Sequence, residues 1–214
     1  MKILSKKTLK NVSFWILMLQ MCLIFAQKKM VVIDVGHGGN DSGAIGINNI
    51  QEKDVVLNIA KEILRLNKMI FDNELDIYLT RYKDTLVSLS DRSRLARVMK
   101  ADVFVSLHCN ASKTYSKGLE VYVHNSDKAN IKASIGLGVS ILNESTQNLG
   151  FKKRGVKFAD FQVLRETTLC PTVLVELGFV TNAYEADYFL NLTNVRAMSL
   201  AVLLGIISYL NTVL

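Results

Sequence analysis

Proline is all but missing from this chain of 214 residues, with Pro171 the only one. Tracts rich in proline, glycine or serine, internal repeats and low-complexity segments are missing as well, so nothing marks a linker or an appended binding module. The length is near that of one globular domain, and a hydrophobic content of 50% suffices for a substantial core. Acidic residues are absent from positions 1–26, which instead hold Lys2, Lys6, Lys7 and Lys10. The formal charge of +7 therefore overstates the basicity of the remainder, where 22 basic residues face 19 acidic ones, a balance of +3. That surplus is too small and too dispersed to point to nucleic acid, although it suits a polyanionic surface.

The lysines at the start precede an apolar run from Ser13 to Ala26, followed by Gln27, Lys28 and Lys29. This is the layout of a signal peptide over residues 1–26, with cleavage near Ala26 and export to the periplasm or the exterior. A membrane anchor is the alternative, but the run falls short of the ~20 apolar residues that span a bilayer. Cysteine is scarce too: Cys22 would leave with the leader, and Cys109 and Cys170 read as two buried thiols rather than a pair.

From Met30 onward, short β-rich runs alternate with longer helical ones, which predicts an α/β domain over residues 27–214. The runs at 30–35, 75–80, 102–108, 119–124 and 172–177 read as strands. Helices are expected near 53–70, 90–100, 130–148 and 194–211. In the first, Val56, Ile59, Ile63, Leu66 and Ile70 make one apolar stripe. The second carries charges on its outer face, and Arg92 there is expected to pair with a carboxylate on the surface or in a loop. The last is apolar enough to raise a membrane segment, but Ser199, Gly205, Ser208 and Asn211 interrupt it, so it reads as a buried helix. The architecture implied is a single domain with a mixed, mostly parallel sheet flanked by helices on both faces.

Histidine occurs only at 37, 108 and 124, and two of the three sit where strands end. His37 follows VVIDVG and opens a glycine-rich loop; His108 closes DVFVSLH. Ligand sites of α/β sheets gather at the carboxyl ends of strands, yet a histidine alone in such a place is more often a hydrogen-bonded structural residue. Glu52, at the start of the first helix, alters the balance. A carboxylate there favours the helix dipole, and it also completes two histidines and a glutamate, the usual protein ligation of catalytic zinc. Asp41 or Asp54 are weaker substitutes for it. Glu176 stands inside the apolar run TVLVELGF, where a charge is costly unless paired or employed. A general base beside a metal would employ it; a salt bridge to Arg165 or a lysine would pair it. His124 alternates with Leu119, Val121 and Val123, on the face shared by Glu120 and Tyr122.

These residues resemble the zinc-dependent N-acetylmuramoyl-L-alanine amidases of the amidase type 3 family. The likeness runs through VVIDVGHGG, EKDVVLNIAKEI, LTRYKD, SDRSRLA, ADVFVSLHCNAS, RGVKFADFQVLR and PTVLVELGFVTN, essentially the whole chain after the leader. It implies that His37, Glu52 and His108 bind one Zn2+ per chain and that Glu176 is the essential second glutamate. The implied substrate is peptidoglycan or its muropeptides, cut between N-acetylmuramic acid and L-alanine. A zinc peptidase or deacetylase acting on another wall amide would use the same residues, and a non-catalytic wall-binding domain would have lost one of them.

Arg165 and Asn110 are candidates for contact with substrate, each with a structural role as the alternative. Val35 stands where the family commonly has proline. Cys109 should point away from His108 in an extended strand. Some similar amidases carry a long insertion with a helix that covers the zinc until a partner withdraws it. Here only Asn125 to Asn130 follow the corresponding strand, the length of an ordinary connection, so no activator protein is expected. No transmembrane segment is expected in the mature chain.

Overall fold

The computed structural model describes residues 28–125 and 130–212, with five further positions between 11 and 18. The expected signal peptide and its cleavage site lie outside the described residues, apart from those five positions.

Among the described residues, six strands form one mixed sheet. They are β1 (Lys29–Val35), β2 (Leu75–Leu79), β3 (Val103–Asn110), β4 (Leu119–Val123), β5 (Lys153–Phe158) and β6 (Thr172–Phe179). Their order across the sheet is β2-β1-β3-β6-β4-β5. All neighbours run parallel except β4 and β6, which are antiparallel. The helices are α1 (Glu52–Ile70), α2 (Leu89–Met99), α3 (Ile131–Gln147), α4 (Gln162–Glu166), α5 (Ala183–Leu190) and α6 (Leu192–Thr212), with one 3-10 turn at Ile47–Asn49.

The two faces of the sheet are covered unequally, and this imbalance makes the site. One face sends Val31, Ile33, Val105, Val121, Val173 and Val175 into a large core under α1, α3 and α6. The other face has a smaller cluster, Val32, Phe104 and Leu174 against Ala96 of α2 and Val163 and Leu164 of α4. Because α4 has only five residues, that layer leaves the carboxyl-terminal end of the sheet uncovered on this side.

The apolar last helix is a core helix lying against α3 and α1. Two of the residues that interrupt it, Ser199 and Gly205, are contact points, while Ser208 and Asn211 are exposed. A Cβ on Gly205 would stand 2.5 Å from the Ile141 Cα, and Ser140 Oγ donates to the Gly205 carbonyl at 2.8 Å. Ser199 Oγ reaches the Ile59 carbonyl at 3.2 Å. By length and composition α6 could cross a membrane, but eleven of its residues are buried.

The sequence reading did not include β5, α4, α5 or the 3-10 turn. The segment KRGVKF mixes basic residues and glycine at the sheet edge, so it lacks the apolar alternation that marks the other strands. Helix α5 runs only eight residues, too short to display a helical period. Cys109 and Cys170 are both buried free thiols, as expected.

Candidate metal centre

His37, Glu52 and His108 come together although 71 positions separate the first from the last. One ligand atom from each lies within 4.8 Å of the others, the sole such group among the described residues. His37 Nε2 stands 3.0 Å and His108 Nδ1 2.8 Å from the same oxygen, Glu52 Oε1. The rings cross edge to face with centroids 4.8 Å apart. Glu52 is 4% exposed; its Oε1 also accepts the Cys109 N–H at 2.9 Å, and Oε2 accepts the Ala44 N–H at 2.8 Å.

The glycines of the loop permit this crowding. Gly43 has φ +63, and a Cβ there would lie 2.6 Å from both Glu52 Oε2 and His37 Cδ2. At Gly36 a Cβ would meet the His108 ring at 2.6 Å. Asp41 is not a member of the cluster; its Oδ2 lies 2.8 Å from His37 Nδ1 and fixes that ring from behind. Asp54 is exposed on the outside of α1.

Electrostatics agree with a site built for a cation. Burial opposes charge on Glu52, but hydrogen bonds from His108 and His37 outweigh it and hold the carboxyl well below the usual carboxylate range. Burial would lower His37, yet Glu52 and Asp41 together push it up to about 8. Two imidazole nitrogens and a carboxylate oxygen turned onto one point, with the far nitrogen of His37 held by a carboxylate, form the donor set of a catalytic zinc site. The residues present fit that metal.

Two buried arginines hold the strand exit from which His37 departs. Arg81 donates to the carbonyls of Val35 at 3.1 Å and Gly36 at 2.8 Å, and Arg92 to those of Val35 at 2.6 Å and His37 at 2.8 Å. His37 itself has φ +57, a left-handed conformation that such bonds sustain. Arg92 also pairs with Asp34 at 2.8 Å, both side chains almost fully buried. This corrects the sequence reading, which placed its partner on the surface or in a loop: Arg92 turns inward from α2. Val35 gains a role from its departure from the family pattern, since its N–H donates to Thr80 Oγ1 at 2.9 Å, a bond proline could not make.

Glu176 lies beside His108 in the register of β6 with β3, and beside Glu120 in the register of β6 with β4. Among the described residues it forms no salt bridge to Arg165 or a lysine, and its buried Oε2 has no hydrogen-bond partner. Burial, reinforced by Glu52 and Glu120 and opposed by His108 and His37, pushes its carboxyl up to about 7. A cavity of about 750 Å³ opens over this row, lined by His37, Glu52, His108, Asn110 and Glu176 on one side and Leu86, Leu89 and Phe161 on the other.

Asn110 faces this cavity and donates from Nδ2 to Glu120 Oε1 at 2.7 Å. Arg165 is outside the cavity lining, bonded to Asp160 Oδ1 at 2.6 Å. His124 stands 3.6 Å from Asp160 and away from the cluster. Cys109 points to the large core, where burial pushes its thiol far up. Glu120 went unrecognised as a site residue, although a carboxylate amid Leu119, Val121 and Val123 is the same signal that singled out Glu176.

Residues 31–208 match the family model described as N-acetylmuramoyl-L-alanine amidase. The chain is 41% identical over 172 residues to an endolysin of Bacillus phage SPP1, covering 76% of this chain and 61% of that protein. It is 40% identical over 158 residues to the N-acetylmuramoyl-L-alanine amidase LytC of Bacillus subtilis, covering 73% of this chain and 30% of that one. The chain thus spans less than two thirds of these relatives. Among solved structures, an N-acetylmuramoyl-L-alanine amidase from Clostridium difficile superposes with a TM-score of 0.80 at 32% identity, covering 87% of this chain and 99% of that one. With its motifs, its fold and its cluster of two histidines and a glutamate in agreement, this chain belongs to the N-acetylmuramoyl-L-alanine amidase family.

Proposed function

We propose that this chain hydrolyses the amide between the lactyl group of N-acetylmuramic acid and L-alanine in peptidoglycan, using one zinc held by His37, Glu52 and His108. The observation that carries the reading is Glu176: a buried carboxyl with a free oxygen, next in register to a ligand histidine. Zinc in such a set supplies Lewis acidity to the carbonyl and to water. Glu176 Oε2 accepts a proton from the attacking water as its oxygen bonds to the carbonyl carbon. The carbon–nitrogen bond then breaks, and Glu176 returns that proton to the leaving nitrogen of L-alanine. A carboxyl raised toward neutrality serves both halves, being neither too weak a base nor too weak an acid. Asn110, anchored on Glu120, borders the path of the substrate, and contact with substrate is part of the proposal. Arg165 would have to leave Asp160 to do the same.

The site needs no displaced cover in this reading. Strand β4 ends at Val123 and α3 begins at Ile131, so the connection is too short for a masking helix. Zinc-loaded protein is expected to digest purified peptidoglycan unaided, releasing peptides with a free L-alanine amine and leaving lactyl carboxylates on the glycan. Mass spectrometry of the products checks this. Cleavage only at another bond would favour the peptidase or deacetylase reading, and a hundredfold gain on adding one envelope protein would refute the open site.

The basic and apolar leader is read as an export signal, which brings the domain to its substrate. Protein recovered from outside the cytoplasm should begin near Gln27 on amino-terminal sequencing. Chains beginning at Met1 and confined to the cytoplasm would exclude export.

A further inference from the structure

Beyond Glu176 the row of charged residues continues, and its purpose is not exhausted by the chemistry above. Glu120, 2% exposed on β4, is next in register to Glu176. It accepts hydrogen bonds from Asn110, Tyr122, Arg154 and Lys157: Arg154 Nε at 2.6 Å and Lys157 Nζ at 2.5 Å share its Oε2. One buried carboxylate thus meets two cations. Glu120 engages one of the three ammonium donors of Lys157, so that cation keeps donors for a second anion.

The backbone is shaped to deliver both. Leu119 pairs with Lys153 and Glu120 with Gly155, so Arg154 is an extra residue in the register of β5 with β4. Such a bulge turns a side chain that strand alternation would send to the opposite face. Gly155, at φ +96, supplies the conformation this needs. Lys157, paired with Tyr122 in register, reaches Glu120 from the regular side. Its ammonium lies 5.8 Å from the Tyr122 ring, which stacks edge to face on Phe161 of the cavity wall. The Lys157 side chain is 39% exposed, so its remaining donors face solvent beside that wall.

Direction follows from the order of strands. The metal ligands lie at β1, α1 and β3, the proton donor at β6, and the cations two strands further at β5. Glu176 gives its proton to the leaving nitrogen, so the carbonyl side of the substrate lies toward the ligands and the leaving peptide lies past β6. The charged atoms of both cations sit on the Glu120 carboxylate, between one and two strand spacings, about 5 to 10 Å, beyond Glu176, and extended peptide covers about 3.5 Å per residue.

Resting on the proposed amidase reading, we infer that Lys157 and Arg154 form an anion subsite that recognises a carboxylate on the second residue of the leaving stem peptide. Glu120 holds the two cations beside the cavity, and Asn110, which lines it, ties that carboxylate to the wall.

Calorimetry with zinc-loaded protein tests this without relying on turnover. The probes are L-alanyl-D-glutamyl-L-lysine, joined through the glutamyl side chain, with the glutamyl α-carboxylate free or converted to carboxamide, both amidated at the carboxyl terminus. The free carboxylate is expected to bind about tenfold more tightly, the scale of one charge-assisted hydrogen bond at a part-exposed site. Lys157→Gln, which leaves Arg154 to neutralise Glu120, should cut that ratio to about two or less, and Lys157→Arg should restore it. Equal binding of the two peptides to the unaltered protein would overturn the inference, as would a ratio that persists in folded Lys157→Gln. Discrimination in binding without any cleavage of peptidoglycan would defeat the amidase reading and leave the subsite standing; cleavage without discrimination would do the reverse.

Discussion

Glu176→Gln should retain stoichiometric metal while losing between about 10² and 10⁴ in turnover, the usual contribution of a positioned general base. The side chain keeps its size, and none of its atoms belongs to the cluster of His37, Glu52 and His108, so a loss of metal is not the cause expected. Metal analysis beside steady-state rates on a defined muropeptide separates the two effects. Near-normal turnover would remove Glu176 from the reaction. The same variant has a second signature in metal-free protein. Burial is the main reason the Glu176 carboxyl is pushed from 4.5 up to about 7. A raised carboxyl means that the folded chain holds the proton more tightly than the unfolded one. Its favourable contribution is complete below the unfolded value and lost as pH rises toward 7. Above that, the charged form costs up to about 3 kcal/mol of stability, which glutamine does not incur. Urea unfolding of chelated protein should therefore find Glu176→Gln more stable than the unaltered chain at pH 8, with the difference closing toward pH 4.

Removing either histidine should cost more than about 100-fold in metal affinity. Asp41→Asn, which alters only the carboxylate behind His37, should fall within the 10- to 100-fold typical of an outer partner. Competition titration with a chelator measures all three variants. Affinity in the unaltered protein should also climb with pH. Glu52 and Asp41 outweigh burial to push His37 up to about 8 in the metal-free chain, so at lower pH an incoming ion must expel that proton. The expected slope is about tenfold per pH unit between 6 and 8, flattening above. Tight stoichiometric metal in His37→Ala and in His108→Ala would refute the ligand assignment, and a flat pH profile would show that His37 carries no proton to displace.

Much of the site was legible because the sequence placed costly residues where only function repays them. His37 and His108 at strand ends, Glu52 at a helix start and Glu176 inside an apolar strand each break a local rule, and four such breaks in one order define a site. Local pattern also identified the strands β1, β2, β3, β4 and β6 and the long helices, since an apolar period reports which face is buried. It could not identify β5. Unlike the other edge strand, β2, which buries Leu75 and Leu79, β5 buries none of its residues, and Lys153 and Lys157 among them remain at least partly in solvent.

What the tertiary structure alone decided is which charges meet. In sequence, Arg92 is expected to find its partner on the surface or in a loop and Arg81 carries no signal of its own, yet both are buried, with their guanidiniums on the carbonyls of residues 35–37. Glu120, Arg154 and Lys157 become one group only through the pairing of β4 with β5 and the bulge that turns Arg154. Residue type and spacing determined the fold class and singled out His37, Glu52, His108 and Glu176 as the candidate site, because strands and helices write their burial into a short period. Partners of long side chains are set by strand order and register across the sheet, and no local period encodes those.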